Sequence, residues 1–227
     1  MTMDRRDDGL NSGGESDPRP ASILPPHRVM QDWLDETSVE TLLRLALSRE
    51  AAFVPTKVGA DKARAFKPEY RTSLALRSLP ELAAIFNARL RQLAPSLVAE
   101  MRLSAFDVRR VELELVAHGD GAFYKRHIDV RTGGDLKFQR VLSGVYYFNH
   151  QPKAFSGGAL RLYAIGNSER FFDIEPVHNT FVAFPSWAPH EVMPVSCPSG
   201  AFVDSRFAVN CWMHRQAPPA AIEPSDA

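Results

Sequence analysis

The stretch RVELELVA, residues 110–117, decides the fold class of this chain. Its odd-numbered positions are all apolar, whereas three of its four even-numbered positions are charged. A period of two predicts a β-strand with one buried face. Further short runs that predict strands follow, and Gly, Pro, Asn or Asp separates most of them, at residues 122–127, 141–149, 159–163, 180–184, 191–195 and 207–212. Many short strands at this spacing predict a β-sandwich or jelly roll.

Upstream of this stretch, residues 28–101 follow a helical period instead. Thr37 and Glu40 form a candidate capping box for a first helix, and Ser78 and Glu81 form one for a second. A third short helix is predicted over residues 96–101. Helices that precede strands in this way predict an α+β fold.

The predicted organisation is therefore one domain with two polar tails. Residues 25–105 form a helical buttress and residues 106–215 form the β core. Residues 1–24 and 216–227 are rich in polar side chains, Gly and Pro, so they are expected to be disordered.

Composition excludes several classes of protein. The chain has 227 residues with 27 Lys plus Arg and 27 Asp plus Glu, so its charge gives no argument for a nucleic-acid partner. Two cysteines, Cys197 and Cys211, do not make a disulfide framework, which favours a cytoplasmic setting. The N-terminus lacks the apolar core of a signal peptide, and no run of 18 apolar residues predicts a membrane span.

The segment GDGAFYKRHID, residues 119–129, carries the first candidate metal ligands. Side chains two apart in a strand share a face, so His127 and Asp129 point into one space. The segment FPSWAPHEVMPV, residues 184–195, places His190 at the start of an apolar strand, where it could supply a third ligand. A surface ion pair and a loop-capping histidine would explain the same residues, and His178, which also precedes a strand, is the rival to His190.

The segment SRFAVNCW, residues 205–212, opens a largely apolar strand with Arg206. A buried arginine needs an anionic partner that accepts two hydrogen bonds. A protein carboxylate would satisfy it, and so would a dicarboxylate cosubstrate.

Taken in order, these motifs resemble the prolyl 4-hydroxylase-like branch of the 2-oxoglutarate oxygenases, closest to the oxygen-sensing prolyl hydroxylases and their bacterial relatives. The runs VYYFN (residues 145–149) and SGGALRLY (residues 156–163) resemble the paired-tyrosine and Gly-Gly strands of that family. The resemblance covers about residues 108–215. It implies a double-stranded β-helix, a jelly-roll variant, buttressed here by the N-terminal helices.

The resemblance also implies roles for individual residues. His127, Asp129 and His190 match the iron(II) ligands. Arg206 and Tyr147 match the residues that bind the distal carboxylate of 2-oxoglutarate. A further two matches are Tyr124, for a second tyrosine facing the cosubstrate, and Asn210, where relatives often place Thr or Ser.

The implied function is that of an iron(II)- and 2-oxoglutarate-dependent dioxygenase, with O2 as second cosubstrate and ascorbate dependence by analogy. A prolyl residue of a protein or peptide is the expected substrate, and a free amino acid or another small metabolite is the alternative. A cupin-like metal enzyme without 2-oxoglutarate and an inactive binding module are rival interpretations.

Residues 130–140 suit either a flap over the site or an ordinary hairpin loop. Arg161 and Trp187 are candidate substrate contacts, although a solvated strand position and a core position would also explain them. The oligomeric state is not predicted.

Overall fold

The computed structural model describes residues 23–59, 65–130 and 137–217. The residues predicted as tails therefore lie almost wholly outside the described residues, as does the middle of the predicted flap, residues 131–136. Among the residues that are described, no helix has the length and apolar character needed to cross a membrane.

Two α-helices precede the main strands, but neither begins at its predicted capping box. Helix α1 (Glu36–Ser48) begins after Asp35, whose carboxylate accepts a hydrogen bond from the Ser38 amide at 2.9 Å, so the box predicted at Thr37 and Glu40 was wrong. Helix α2 (Pro80–Glu100) has no side-chain cap at all. It begins with proline, whose fixed φ suits the first helical position and whose missing N–H costs nothing there.

The predicted third helix is also wrong, because residues 96–100 are the last turn of α2. Pro95 lies inside the helix and removes one backbone hydrogen bond. The helix continues because its apolar face continues: Leu90, Ala94 and Leu97 are all buried.

The predicted strand runs are present with shifted ends, except that the run at residues 191–195 is divided between two strands. Among the described residues, four short strands lie within residues 28–101, where the prediction of a helical period was wrong. In chain order the strands are β1 (Arg28–Met30), β2 (Val54–Pro55), β3 (Arg71–Thr72), β4 (Leu74–Arg77), β5 (Arg110–His118), β6 (Phe123–His127), β7 (Phe138–Phe148), β8 (Ser156–Gly157), β9 (Leu160–Ala164), β10 (Asn167–Ile174), β11 (Thr180–Pro185), β12 (His190–Val192), β13 (Val195–Ser196) and β14 (Arg206–Gln216). Strand β10 was missed because it lies at a sheet edge, exposed at most positions, and carries no alternating pattern.

Two antiparallel sheets form a jelly-roll-like core, which confirms the predicted fold class. The larger sheet has the order β1-β11-β7-β14-β5-β4-β2, and the smaller has the order β10-β9-β12-β6-β3. A short β13–β8 pair stands apart from both.

The helices cover one face of the larger sheet, and this leaves the other face to the smaller sheet. Phe86 and Leu90 of α2 belong to the same buried cluster as Phe207 and Val209 of β14. The intervening side chains of β14, among them Arg206, point to the opposite face because side chains alternate along a strand. The functional site lies on that second face.

Candidate functional site

Two histidines and an aspartate from separate parts of the chain meet between the sheets. His127 ends β6, His190 begins β12, and the two are paired directly across the ladder. The Nε2 atoms of His127 and His190 lie 3.9 Å and 3.6 Å from the Asp129 carboxylate. One ligand atom from each residue lies within 4.8 Å of the others, a spacing that one metal ion can bridge. Two imidazoles and one carboxylate are the donor set of non-heme iron(II) oxygenases.

Backbone carbonyl groups orient both imidazoles. The Nδ1 atom of His127 lies 2.8 Å from the Lys125 carbonyl oxygen, and that of His190 lies 2.9 Å from the Ala188 carbonyl oxygen. A carbonyl oxygen only accepts, so each Nδ1 carries the proton. Each Nε2 lone pair is thereby left for a metal, the usual arrangement of metal-binding histidines.

The carboxylate of Asp129 is held just as firmly. Ser143 of β7 donates a hydrogen bond to its Oδ2 at 2.7 Å, and the hydroxyl groups of Ser143 and Ser186 lie 2.9 Å apart. The Asp129 amide donates to the Ser186 carbonyl oxygen at 2.9 Å. Arg140 adds a positive charge 3.8 Å from Oδ1.

Burial and charge leave His127 and Asp129 in the protonation states that bind metal. Burial, followed by the neighbouring His190, lowers the pKa of His127 to about 3, so its imidazole is neutral at physiological pH. Burial alone would raise the pKa of Asp129. His190, His127 and then Arg140 outweigh that effect, so the pKa is lowered and the carboxylate is ionised.

The cluster opens onto a cavity of about 330 Å³ whose wall also contains Arg206, Tyr147 and His118. Arg206 is only 1% exposed. Its Nη1 lies 3.3 Å from His118 Nδ1, and its guanidinium lies over the Tyr147 ring at 4.7 Å. No carboxylate of the described residues forms a salt bridge with it, so a protein carboxylate is not its partner there.

Several donors around Arg206 also lack an acceptor. Arg206 Nε, the Tyr147 hydroxyl and His118 Nε2 are buried without a hydrogen bond of acceptable geometry among the described residues. Buried polar groups are normally satisfied, so a group of unsatisfied donors beside a buried guanidinium fits an anionic ligand. The distal carboxylate of 2-oxoglutarate has that chemistry.

Gly158 makes room for Arg206. Its φ is +71°, and a Cβ atom built there would lie 2.6 Å from Arg206 Cδ. Only glycine allows both the positive φ and the close approach. The second glycine of the Gly-Gly pair thus has a physical role at the arginine.

The other two predicted cosubstrate residues make contacts that the sequence did not predict. The Tyr124 ring is stacked on the His127 ring with centroids 3.6 Å apart, and burial raises the pKa of its hydroxyl to about 12. Asn210 donates a hydrogen bond to the Glu114 carboxylate at 3.4 Å. Contacts of either residue with the cosubstrate stay predictions.

Strand β5 has a second buried face, which the sequence did not reveal. Glu114 of β5 is 3% exposed and lines the cavity, where Arg71 and Arg77 form salt bridges with it. Glu112 pairs with Arg140 at 2.9 Å. Charged alternation normally indicates a solvated face. The smaller sheet covers this charged face, and the sequence of the strand itself contains no signal that predicts the covering.

The remaining candidates lie outside the cluster. His178 accepts a hydrogen bond from the Asn149 amide at 3.2 Å and is not a member of the metal-binding group. Arg161 makes two hydrogen bonds with Asp173, at 2.7 and 2.8 Å. Trp187 is 38% exposed and not part of the core.

Comparison with known proteins agrees with this geometry. Residues 113–214 match the family model described as the 2OG-Fe(II) oxygenase superfamily. This match and the His127–Asp129–His190 cluster confirm the prediction of iron(II) and 2-oxoglutarate as cofactors. An uncharacterized PKHD-type hydroxylase of Synechocystis sp. is 41% identical over 157 residues, which are 65% of this chain and 51% of that protein. The chain thus spans about half the length of this curated relative.

Solved structures share the fold. A prolyl-4-hydroxylase of Pseudomonas putida superposes with a TM-score of 0.63 and 24% identity, covering 85% of this chain and 94% of that one. A prolyl hydroxylase of Trichoplax adhaerens, solved with a hypoxia inducible factor peptide fragment, gives 0.57 and 21%, covering 83% of each chain. These likenesses confirm the prolyl hydroxylase-like architecture.

Proposed function

We propose that this chain, whose residues 113–214 match the family model of the 2OG-Fe(II) oxygenase superfamily, is a dioxygenase that hydroxylates a prolyl residue of a protein or peptide and releases succinate and carbon dioxide. The observation that carries the proposal is the convergence of His127, Asp129 and His190 in one cavity with a buried Arg206 that lacks a carboxylate partner among the described residues. A metal site alone would not need that arginine.

Each part of the cavity has a role in this proposal. His127, Asp129 and His190 hold iron(II). Arg206 and the Tyr147 hydroxyl hold the distal carboxylate of 2-oxoglutarate through charge-assisted hydrogen bonds. The bound metal and cosubstrates supply the oxidising chemistry that inserts one oxygen atom into a C–H bond. The protein positions these groups and shields them from water.

The choice of a prolyl substrate is supported by solved structures that share this fold. The solved structures of the same architecture include a prolyl-4-hydroxylase and a prolyl hydroxylase bound to a peptide. Fold does not determine substrate, so a free amino acid or another small metabolite is the second candidate. The cavity wall contains charged side chains, among them Arg71, Arg77 and Glu114, which suits a small polar metabolite better than an apolar wall would.

The test has two stages. Purified protein with iron(II), 2-oxoglutarate and ascorbate in air is expected to form succinate, and the Asp129→Ala variant is expected to form none. An iron-dependent activity without succinate would favour the cupin-like alternative. Protein that binds neither iron(II) nor 2-oxoglutarate by calorimetry would favour an inactive binding module.

The second stage identifies the substrate class. Lysate proteins and a separate pool of small metabolites are incubated with enzyme and then searched by mass spectrometry for a gain of one oxygen atom. Modified prolyl residues in protein support the first candidate. Modification confined to the metabolite pool supports the second.

We also propose that residues 25–105 and 106–215 fold as one domain. The support is a single buried cluster that contains Leu42 of α1, Phe86 of α2 and Phe181 of β11. Trp33 stacks on Phe181 with centroids 4.5 Å apart, which adds an aromatic contact between the helical region and the sheet.

A further inference from the structure

Tyr124 links a metal-binding histidine to a buried arginine. Its ring centroid lies 3.6 Å from that of His127, with 21° between the planes, and Arg71 Cζ lies 4.6 Å from the same centroid. The three side chains are called the Tyr124 stack below. Strands β3 and β6 place them together, since Arg71 is paired with Tyr124 across the ladder.

The arginine of the Tyr124 stack is firmly anchored. Arg71 donates from Nε to the Ser73 hydroxyl at 3.1 Å and from Nη2 to Glu114 at 3.3 Å. Glu114 is in turn held by Arg77 and Asn210. Arg71 is only 7% exposed, so water screens these interactions weakly. An anchored cation over a ring restricts the ring's position.

The histidine at the other end needs such a support. The hydrogen bond from Nδ1 to the Lys125 carbonyl oxygen fixes one point of the His127 ring. One hydrogen bond still permits the ring plane to swing about that point. Contact with a flat aromatic face restricts the swing, and the ring plane sets where the Nε2 lone pair points. Groups outside the ligand set that orient a metal-binding histidine typically change metal affinity by about 10- to 100-fold when mutated.

We propose that Tyr124, held by Arg71, is a positioning residue whose ring fixes the plane of His127 and thereby raises the metal affinity of the cluster. The inference rests on the proposed function to the extent that the cluster binds a divalent metal. The inference assigns the positioning of His127 to the ring of Tyr124. The family resemblance implies a different role, that of a second tyrosine facing the cosubstrate.

The two roles separate in a pair of variants. Tyr124→Phe keeps the ring and removes the hydroxyl, whereas Tyr124→Leu removes the ring. The dissociation constant of Mn(II), measured by calorimetry on the full chain without 2-oxoglutarate, is expected to stay within about twofold for Tyr124→Phe and to rise about 10- to 100-fold for Tyr124→Leu. Arg71→Gln is expected to weaken Mn(II) binding by a smaller factor, because the ring remains but loses its cation.

Tyr163 offers a matched control on β9. Arg126 lies over its ring at the same distance of 4.6 Å, but Tyr163 does not line the cavity. Tyr163→Leu is expected to bind Mn(II) as the wild type does. The visible absorption spectrum of Co(II)-loaded protein gives a second readout: it is expected to change in Tyr124→Leu and to be retained in Tyr124→Phe.

The outcomes distinguish this inference from the proposed function. Wild-type protein that fails to bind Mn(II) overturns both. Wild-type binding with equal affinity and an unchanged Co(II) spectrum in Tyr124→Leu overturns only the role of the ring. Equal losses in Tyr124→Phe and Tyr124→Leu also overturn it, because the hydroxyl would then carry the effect. If Tyr124→Leu does not fold by circular dichroism, Arg71→Gln decides, and its unchanged Mn(II) affinity counts against the stack.

Discussion

Replacing Gly158 with alanine is expected to weaken 2-oxoglutarate binding without weakening metal binding. The added Cβ would lie 2.6 Å from Arg206 Cδ and 2.8 Å from Val195 Cγ2, whereas ordinary contact begins at 3.4 Å. The nearest atom is Arg206 Cδ, and Arg206 Nε lies 3.0 Å from the same Cβ position, so the long arginine side chain is expected to shift. Arg206 then loses its alignment with the Tyr147 hydroxyl and with the ligand carboxylate.

The magnitude follows from two separate effects. Forcing an L-residue into the left-handed region costs about 1–2 kcal/mol, and overpacking a filled site costs about 1–3 kcal/mol. The free energy of unfolding is therefore expected to fall by about 2–5 kcal/mol. Hydrogen bonds to charged groups contribute about 1.5–3 kcal/mol, so a misaligned Arg206 is expected to weaken 2-oxoglutarate binding by about 10- to 100-fold.

Gly166 provides the control. Its φ is +76°, and no atom lies within 4 Å of a Cβ built there. Gly166→Ala therefore carries the backbone strain without the clash. Urea unfolding and calorimetric titration of Mn(II)-loaded protein with 2-oxoglutarate measure both effects. Equal loss of stability in the two variants, or unchanged 2-oxoglutarate affinity in Gly158→Ala, would refute the reasoning.

Three further predictions address the ligand cluster, the histidine beside Arg206 and the helices. Ser143→Ala removes the 2.7 Å hydrogen bond to Asp129 and is expected to weaken Mn(II) binding by about 10-fold, measured by calorimetry; wild-type affinity would contradict it. Burial, then Arg206 and Arg71, hold the pKa of His118 well below 6.5, so the folded state binds fewer protons than the unfolded state and stability falls as pH drops below about 6.5. Between pH 7.5 and 5.5 in urea, His118→Gln is expected to lose about 1.4 kcal/mol less stability than wild type, and equal losses would argue against a neutral His118. Phe86→Ala is expected to cost about 3–5 kcal/mol in one urea transition monitored by tryptophan fluorescence, and a separate early transition would contradict the one-domain proposal.

The sequence predicted β5, β7, β11 and β14 of the larger sheet because those strands carry strong local patterns, and it missed β1, β2 and β4 of the same sheet. Strand β14 is buried along almost its whole length, so its apolar run has few interpretations. The predicted starts of the helices were wrong for a local reason, since a Ser or Thr followed three residues later by Glu is common in sequences. The actual N-cap of the first helix is Asp35, whose side chain accepts a hydrogen bond from the Ser38 amide. The two-residue strands β2, β3 and β8 are defined by their partners, so no pattern within them could have announced them.

The ligand cluster could be predicted because two of its residues, His127 and Asp129, are metal-binding residue types that lie two positions apart. The two-residue spacing of His127 and Asp129 predicted that their side chains share a space, although β6 ends at His127 and Asp129 lies just beyond it. The residues of the cavity wall could not be predicted from the sequence, because they depend on which face of each strand the second sheet covers. Glu114 and Arg71 are 43 residues apart and meet only through the pairing of β3 with β6 and of β4 with β5. The contact of His118 with Arg206 likewise depends on the β5–β14 register.

The charges of the cavity wall explain why one guanidinium in particular is suited to a ligand. Arg71 and Arg77 share Glu114, and Arg140 pairs with Glu112. Arg206 has His118 as its near neighbour instead of a carboxylate. A protonated His118 would add a second positive charge there, but burial and the two nearby arginines hold its pKa low, so it stays neutral. A neutral imidazole that accepts from Arg206 at Nδ1 carries its proton on Nε2, so it adds a donor and no charge. Around Arg206, the cavity therefore presents the charge of one guanidinium with neutral donors beside it to an incoming anion. This complements a single carboxylate, whereas a dianionic phosphate would remain only half neutralised.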